Sequence, residues 1–334
     1  MKTVIRLMAL VCVLGLNGCG KKEAKKTQIA FVTNQIADFW NIAKAGCREA
    51  AKDLDVDVEV KMPPQATVVN QKQIVEDLVS SGISAIAISP LDADNQVKWL
   101  NGIAAKVPLI THDSDAPGSD RIVYIGMDNY RAGRMCGELV KSALPDGGAV
   151  MLFIGRLEQN NSKYRRQGVI DVLLDRPAPD SLDKVVFDPN DAENLKGEKY
   201  TVIKTITDGG KPEIAKQKAA DCIEPYPEMK AMVGLFEYNP PACLQALKQA
   251  GKLGEIKMIG FDENDDPLQG IKDGTVEGTV VQNPYEYGYQ SVKVLKDILE
   301  GNPPKEKFID IPARKITKDN VDEFWADLKA KKAG

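Results

Sequence analysis

Several residue types that mark common classes of active site are scarce in this chain. The 334 residues include 1 His and no Cys-x-x-Cys pair, which argues against a zinc site or any other metal centre built from those ligands. The formal net charge of -4 argues against a nucleic-acid partner, which would select a clustered basic surface. No Gly-x-Ser-x-Gly or His-Glu-x-x-His motif occurs, and His112 has no nucleophile paired with it in sequence, so we expect no enzyme and no cofactor.

Long apolar runs are missing, apart from a short one near the N-terminus. The run LMALVCVLGL follows Lys2 and Arg6, is too short to span a bilayer, and has the layout of a signal peptide. It ends in LNGC, which resembles a bacterial lipobox. We predict a signal peptide over 1–18, lipidation at Cys19 and a charged tether over 19–26. The alternative is an ordinary secretory signal cut elsewhere; both predict export, and only a lipidated Cys19 gives a membrane anchor.

Cysteines are few once this leader is set aside. Cys47, Cys136, Cys222 and Cys243 remain in the mature chain. An exported protein could pair them, but their spacing is not diagnostic and leaves all three pairings open. The sequence therefore does not decide whether disulfides form.

Short apolar runs alternate with amphipathic segments along the rest of the chain. The runs predict strands over 29–33, 56–62, 85–89, 108–111, 122–126, 149–154, 201–206, 232–235, 256–260 and 276–282. The segments between them predict helices over 38–53, 70–81, 93–105, 129–143, 162–174, 213–223, 240–250 and 285–299. This alternation predicts an α/β fold with parallel sheets, and about ten strands favour two sheets in two domains. The polar stretch 176–199 reads as a surface insertion.

Ligands of open parallel sheets bind at the carboxyl ends of the strands, so the residues after each strand are the candidates. Aromatics are only 6% of the chain, yet Phe39 and Trp40 stand together after the first predicted strand. Either they stack on a ligand or they pack in the core at the start of a helix. Asp38 beside them is most simply the N-cap of that helix.

Six stretches follow one another along the chain: IAFVTNQIADFWNIAKAG, VEDLVSSGISAIAISPLDADN, VPLITHDSDA, YIGMDNYRAG, GFDE and GTVVQNP. Their order and spacing resemble those of the periplasmic ribose-binding-like proteins, the type I sugar-binding components of bacterial ABC importers. The resemblance implies two similar lobes, each a parallel sheet flanked by helices, joined by a hinge of three crossings near 127–128, 282–283 and 311–313. Lobe 1 would hold 27–127 plus 283–311, and lobe 2 would hold 128–282 plus 312–334.

The resemblance also implies which residues bind the sugar. Its main candidates are Phe39, Trp40, Asp113, Asn161, Lys163, Asp262 and Gln282. Weaker candidates are Asp38, Ser89, Asp92, Tyr238 and Asn239. Arg165, near Lys163, is expected to be structural. The chain departs from the ribose binders at Ser114, where they have Arg, and at Phe236 and Glu237, where they often have Asn and Asp.

The function that this resemblance implies is a monomeric, exported solute-binding lipoprotein. It would capture a monosaccharide or similar polyol between its lobes and deliver it to the permease of an ABC importer. A sensory role, in which the closed form docks on a membrane kinase or chemoreceptor, fits the sequence equally. An exported sugar-processing enzyme is the third possibility, which the missing nucleophile and base disfavour.

Overall fold

The computed structural model describes residues 26–333 of the chain. The predicted signal peptide, Cys19 and the tether up to residue 25 lie outside the described residues. No helix within 26–333 has both the length and the apolar character needed to cross a membrane.

The described residues form strands and helices in near-regular alternation. The strands are β1 (Gln28–Val32), β2 (Asp57–Lys61), β3 (Ala85–Ile88), β4 (Leu109–His112), β5 (Tyr124–Gly126), β6 (Gly148–Ile154), β7 (Leu195–Lys196), β8 (Tyr200–Thr207), β9 (Met229–Gly234), β10 (Lys257–Phe261), β11 (Gly278–Val281), β12 (Phe308–Asp310) and β13 (Arg314–Ile316). The helices are α1 (Asp38–Asp53), α2 (Val68–Ser80), α3 (Val97–Ala104), α4 (Asn129–Ala143), α5 (Asn160–Leu173), α6 (Pro212–Asp221), α7 (Asn239–Gln249), α8 (Asp265–Asp273), α9 (Pro284–Leu299) and α10 (Val321–Ala333).

The strands assemble into two sheets with the same central order. The first sheet runs β12-β5-β4-β3-β1-β2 and is parallel throughout. The second runs β13-β11-β10-β9-β6-β8-β7 and is parallel except for its two edge strands, β7 and β13. In each sheet the first long strand lies between the second and the third, which is the strand order of doubly wound α/β folds. The predicted α/β class with parallel sheets is confirmed.

The chain passes from one sheet to the other three times. It leaves the first sheet after β5, returns after β11, and leaves again between β12 and β13. The predicted division of residues between lobe 1 and lobe 2 places its crossings at these passages. The residue boundaries of the lobes nevertheless stay a prediction.

Glycines bring two pairs of helices into backbone contact beside the sheets. A Cβ on Gly46 of α1 would lie 2.0 Å from the Tyr285 carbonyl oxygen of α9, and one on Gly288 would lie 2.0 Å from that of Ala43. In the second half, a Cβ on Gly133 of α4 would lie 2.1 Å from the carbonyl oxygen of Arg165 on α5. Only glycine permits such an approach, so these contacts set how α1 and α5 lie on their sheets.

The elements that the sequence did not predict are two helices, α8 and α10, and three short strands. The strands β7, β12 and β13, with 2 or 3 residues each, are too short to show an alternating pattern. The stretch 176–199 is an irregular segment that contains β7 and the 3-10 helix Leu182–Lys184. It is held by buried Arg166, whose guanidinium donates to the carbonyls of Asp188 and Pro189 at 2.9 and 2.7 Å.

Candidate functional site

A cavity lies between the carboxyl ends of the two sheets, where the fold is expected to bind a ligand. Its walls on the side of the first sheet are Asn34, Gln35, Ala37, Phe39, Trp40 and Asp113. Its walls on the side of the second sheet are Asn161, Arg165, Phe236, Glu237, Asp262 and Gln282. Six of the seven main candidates from the sequence are in this set, and the seventh, Lys163, is not.

Two aspartates occupy matching positions in the two halves of the cavity. Asp113 follows β4 and Asp262 follows β10, with φ of 58° and 64°. Each backbone N–H donates to the neighbouring strand, to Ile125 O at 3.0 Å and to Val280 O at 2.8 Å. A left-handed conformation outside glycine costs about 1–3 kcal/mol and persists where the surrounding structure enforces it, often at functional sites.

Asp113 is anchored through one carboxylate oxygen and open through the other. Its Oδ2 accepts from Ser89 Oγ at 2.8 Å and from the amides of Asn34 and Asn161 at 3.4 and 3.5 Å. Its Oδ1 lies 4.0 Å from Arg165 Nη2, beyond hydrogen-bond distance. Burial raises the pKa of this carboxyl, and the Arg165 guanidinium opposes that rise. The second oxygen is thus available to a ligand.

Asp262 has fewer partners than Asp113. Its Oδ1 accepts from Gln282 Nε2 at 2.9 Å, and Tyr287 Oη in turn donates to the Gln282 amide oxygen at 3.2 Å. Burial raises the pKa of Asp262 to about 7 against the effects of Arg165 and Gln282, and the negative charges of Asp113 and Glu237 add to the rise. Burial therefore raises the pKa of both matching carboxyls, which differ in the number of side-chain donors that reach them.

Arg165 stands between the two aspartates and is 2% exposed. Its Nε donates to Asn129 Oδ1 at 2.8 Å and its Nη1 to Leu235 O at 3.2 Å, while the guanidinium lies 4.2 Å from the ring centroid of Phe261. Its Nη2 has no hydrogen-bond partner among the described residues, and neither has Asn161 Oδ1. A buried donor and a buried acceptor without partners are costly unless a ligand or water supplies them.

Aromatic rings line the cavity from both halves. Phe39 and Trp40 meet edge to face, with centroids 4.8 Å apart and planes at 89°, and Phe236 lies on the opposite side. The Trp40 indole N–H donates to Asn34 Oδ1 at 3.2 Å. Both residues also pack in the hydrophobic core of the first half. The two alternatives for this pair, core packing and ligand contact, are thus compatible with each other.

Lys163 and Asp38 lie away from the cavity. Lys163 Nζ is 2.8 Å from Asp94 Oδ2, on the outer side of the gap between the two halves. Asp38 is exposed in the first turn of α1 and accepts from Asn41, while Ala37 holds the N-cap position without a side-chain bond. The expectation that Asp38 caps the helix is therefore wrong by one residue.

The remaining candidates support the cavity from behind or lie in a neighbouring space. Ser89 is buried behind Asp113, as described above. Tyr238 and Asn239 do not line the cavity, because both donate to the carboxylate of Asp208, at 2.7 and 2.8 Å. Asp92 accepts from the backbone of Asn95 at 3.0 Å and lines a wider space between the halves.

Six residues of the cavity wall were absent from the candidates: Asn34, Gln35, Ala37, Arg165, Phe236 and Glu237. Asn34 and Gln35 come shortly after β1, and Phe236 and Glu237 come shortly after β9, and that position was the available signal. Arg165 was expected to be structural, yet it carries the cavity's unpartnered donor. Lys163 and Arg165 are two positions apart on α5 and so point to opposite sides of the helix.

The titratable and sulfur groups show no alternative centre within the described residues. No group of three or more His, Cys, Asp or Glu side chains in 26–333 is arranged to hold a metal ion. The four mature cysteines are buried and free, so the structure contains none of the three possible pairings.

Two α/β units with a polar and aromatic cavity between them define a two-lobed binding protein. The family model described as periplasmic binding protein domain matches residues 29–303. The chain therefore belongs to that family, and its two mostly parallel sheets have the type I fold.

Individual relatives agree with the family match. The ribose import binding protein of Salmonella typhimurium is 25% identical over 308 residues, covering 91% of this chain and 95% of that protein. A solute-binding protein from Burkholderia graminis in complex with D-arabinose aligns with a TM-score of 0.79 and 26% identity over 90% of this chain and 98% of that one. A glucose-galactose binding protein from Geobacillus stearothermophilus aligns with a TM-score of 0.78 and 24% identity, over 89% of this chain and 99% of that one. These relatives are binding proteins, which confirms the expectation that the chain is not an enzyme.

Proposed function

We propose that this protein captures a monosaccharide or similar polyol in the cavity between its lobes and delivers it to an ABC importer. The observation that carries the proposal is the pair of matching aspartates, Asp113 and Asp262, on either side of the unpartnered Arg165 Nη2. The names of the relatives, which bind or import sugars, support the same ligand class.

The chemistry of the cavity suits a sugar because each hydroxyl both donates and accepts. One hydroxyl accepts from Arg165 Nη2 and donates to Asp113 Oδ1, which bridges the 4.0 Å gap between those atoms. A further hydroxyl donates to Asn161 Oδ1, and another reaches the carboxyl of Asp262. The C–H faces of the ring lie against Phe39 or Trp40 and against Phe236.

The two lobes close around the ligand as rigid units. Lobe 1 comprises 27–127 plus 283–311 and lobe 2 comprises 128–282 plus 312–334, with the hinge at the three passages between the sheets. Asp113 belongs to one lobe and Arg165, Asn161 and Asp262 to the other, so the ligand completes contacts that exist only in the closed form. Closure also excludes water and strengthens each hydrogen bond.

The leader and the periplasmic family support export, and the stretch LNGC supports attachment to a membrane through Cys19. The signal peptide is removed, acyl chains on Cys19 anchor the chain, and residues 20–26 tether a monomeric binding domain near the permease. A Cys19→Ala variant should lose membrane association in cell fractionation, while the mature domain keeps its ligand affinity. A variant that still carries acyl chains and stays in the membrane fraction would show that Cys19 is not the anchor.

The ligand is tested by calorimetry and thermal shift with the purified protein and a panel of pentoses, hexoses and polyols. A ligand at about 100 times its Kd should stabilise the native state by about 2.7 kcal/mol. Asp113→Ala should abolish the response. The matched control is Asp38→Ala, which removes an exposed aspartate outside the cavity and should leave the response unchanged. Absence of a response to every compound in the panel contradicts the proposal.

A further inference from the structure

A second cavity adjoins the one that holds the aspartates. Gln35, Ala37 and Glu237 line both spaces. We call the space around Asp113, Arg165 and Asp262 the inner cavity and its neighbour the outer cavity. The outer cavity is lined by Gln35, Ile36, Ala37, Pro63, Pro64, Ala66, Gly210, Pro212, Glu237 and Tyr238.

The chemistry of the walls changes from the inner to the outer cavity. Asp113, Arg165 and Asp262 make the inner walls strongly polar, as a ring with several hydroxyls requires. The outer walls are built mainly from alanine, isoleucine, proline and tyrosine, with Glu237 at the boundary as their one charged residue. A ligand that extends from one space into the other therefore needs a polar ring at one end and an apolar group at the other.

The outer cavity also presents apolar surface that no part of residues 26–333 covers. Ile36 is 66% exposed, although isoleucine is among the residues most often buried in folded proteins. Pro64 and Pro212 are exposed as well and have fixed backbone angles, so covering them costs little further ordering of the chain. An exposed apolar wall that continues a polar binding cavity is typical of a ligand site.

The outer cavity spans the gap between the halves, as the inner one does. Ile36, Pro63 and Ala66 belong to the part of the chain that precedes β3, whereas Pro212 and Tyr238 flank β9 in the second sheet. A group bound there contacts both halves at once. It would favour the closed form over the open one, because those contacts are lost when the halves separate.

We propose that the protein binds glycosides: a sugar ring fills the inner cavity, and an alkyl or aryl group on its anomeric oxygen lies in the outer cavity. This inference rests on the proposed function and narrows its ligand class. Pro64, Pro212 and Ile36 supply the contacts for the apolar group.

The test compares free monosaccharides with their methyl and phenyl glycosides, both anomers of each, by calorimetry on the purified protein. A phenyl glycoside of one anomer should bind about tenfold or more tightly than the matching methyl glycoside, because the ring buries additional apolar surface. In Ile36→Asp this phenyl-to-methyl ratio should fall towards one. Val69→Asp is the matched control, since Val69 is 75% exposed but outside both cavities, and the ratio should stay high.

The outcomes separate the two proposals. Binding of free monosaccharides with a phenyl-to-methyl ratio of one or less for both anomers overturns the glycoside inference and leaves the proposed function standing. A high ratio that Ile36→Asp does not change overturns the assignment of the apolar group to the outer cavity. Failure of every sugar and every glycoside to bind contradicts the proposed function itself.

Discussion

Asp113 and Asp262 occupy equivalent positions in two halves of similar architecture, but their side-chain surroundings differ. Both residues follow the same kind of strand, both have positive φ, and both donate their backbone N–H to the next strand. Asp113 receives three side-chain donors on one oxygen, whereas Asp262 receives one. The backbone geometry therefore repeats between the halves, while the side chains that donate to each carboxyl differ.

The helices beside the two sheets repeat in a similar way. Gly46 and Gly288 join α1 to α9 in the first half, and Gly133 and Gly168 join α4 to α5 in the second. The first contact positions α1, which carries Phe39 and Trp40, and the second positions α5, which carries Arg165. Equivalent helix contacts thus place aromatic rings in the cavity from the first half and a cation from the second half.

The largest effect is expected from removing the cation that the two aspartates share. Arg165→Met should destabilise the protein by on the order of 3 kcal/mol, because it leaves buried carboxyls without their positive neighbour. It should also abolish measurable sugar binding. Urea unfolding and calorimetry measure the two effects. Lys163→Met is the control two residues away, and its stability should change by less than about 1 kcal/mol. Equal unfolding midpoints for the two variants would contradict the role given to Arg165.

The second prediction separates the two aspartates by their ligand affinity. Asp113→Asn should weaken sugar binding about 10–100-fold, because the amide cannot accept on both of its atoms as the aspartate does from Ser89, Asn34 and Asn161 on one oxygen and from a ligand on the other. At pH 6, Asp262→Asn should weaken sugar binding less, because the pKa of Asp262 is about 7 and the asparagine resembles its protonated form. The loss of sugar affinity in Asp262→Asn should grow between pH 6 and pH 8. Titration calorimetry at both pH values measures this loss, and a loss that is constant with pH would contradict the prediction.

The third prediction concerns the pH dependence of stability. The pKa of Asp262 rises from 3.8 to about 7 on folding, so the folded state retains its proton where the unfolded state has lost it. Stability of the ligand-free protein should therefore decline as pH rises from about 4 to 7. Asp262→Asn should reduce this decline, by a few degrees in Tm, since about 1 kcal/mol changes Tm by about 2–4 °C in domains of 150–250 residues.

Thermal unfolding at pH 5 and pH 8 measures that difference. Asp38→Asn is the control at an exposed aspartate, and it should show the decline of the unmodified protein. If Asp262→Asn shows the full decline as well, groups other than Asp262 determine the pH dependence.

The smallest effect is expected at the contact between the halves outside the cavity. Lys163 pairs with Asp94, whose side chain is 78% exposed, and exposed pairs contribute about 0–1 kcal/mol. Lys163→Ala should weaken sugar binding less than about fivefold, by reducing the population of the closed form. Calorimetry on Lys163→Ala, Asp94→Ala and the double variant tests this. Independent, additive effects would show that the pair does not act as a unit.

The sequence predicted the elements that have long, regular patterns. The run AIAI became β3 and VMLFI became most of β6, because buried parallel strands are continuously apolar. The resemblance to the periplasmic ribose-binding-like proteins implied Asp113, Asp262 and Gln282 as candidates, each just after a predicted strand, and all three line the inner cavity. Helices α8 and α10 were missed, as were the short edge strands. Of those strands, β12 and β13 depend on pairing with distant strands and leave no local pattern.

The sequence by itself determined the α/β class, the family and the order in which polar residues follow the strands. Only the tertiary structure decided which side of α5 turns inward. Lys163 and Arg165 are equally basic and two positions apart, so composition does not distinguish them. The close approach of Gly168 to the Tyr130 carbonyl, where a Cβ would lie 2.2 Å away, sets the rotation of that helix. Packing between helices far apart in sequence thereby places Arg165 between the aspartates and leaves Lys163 at the surface.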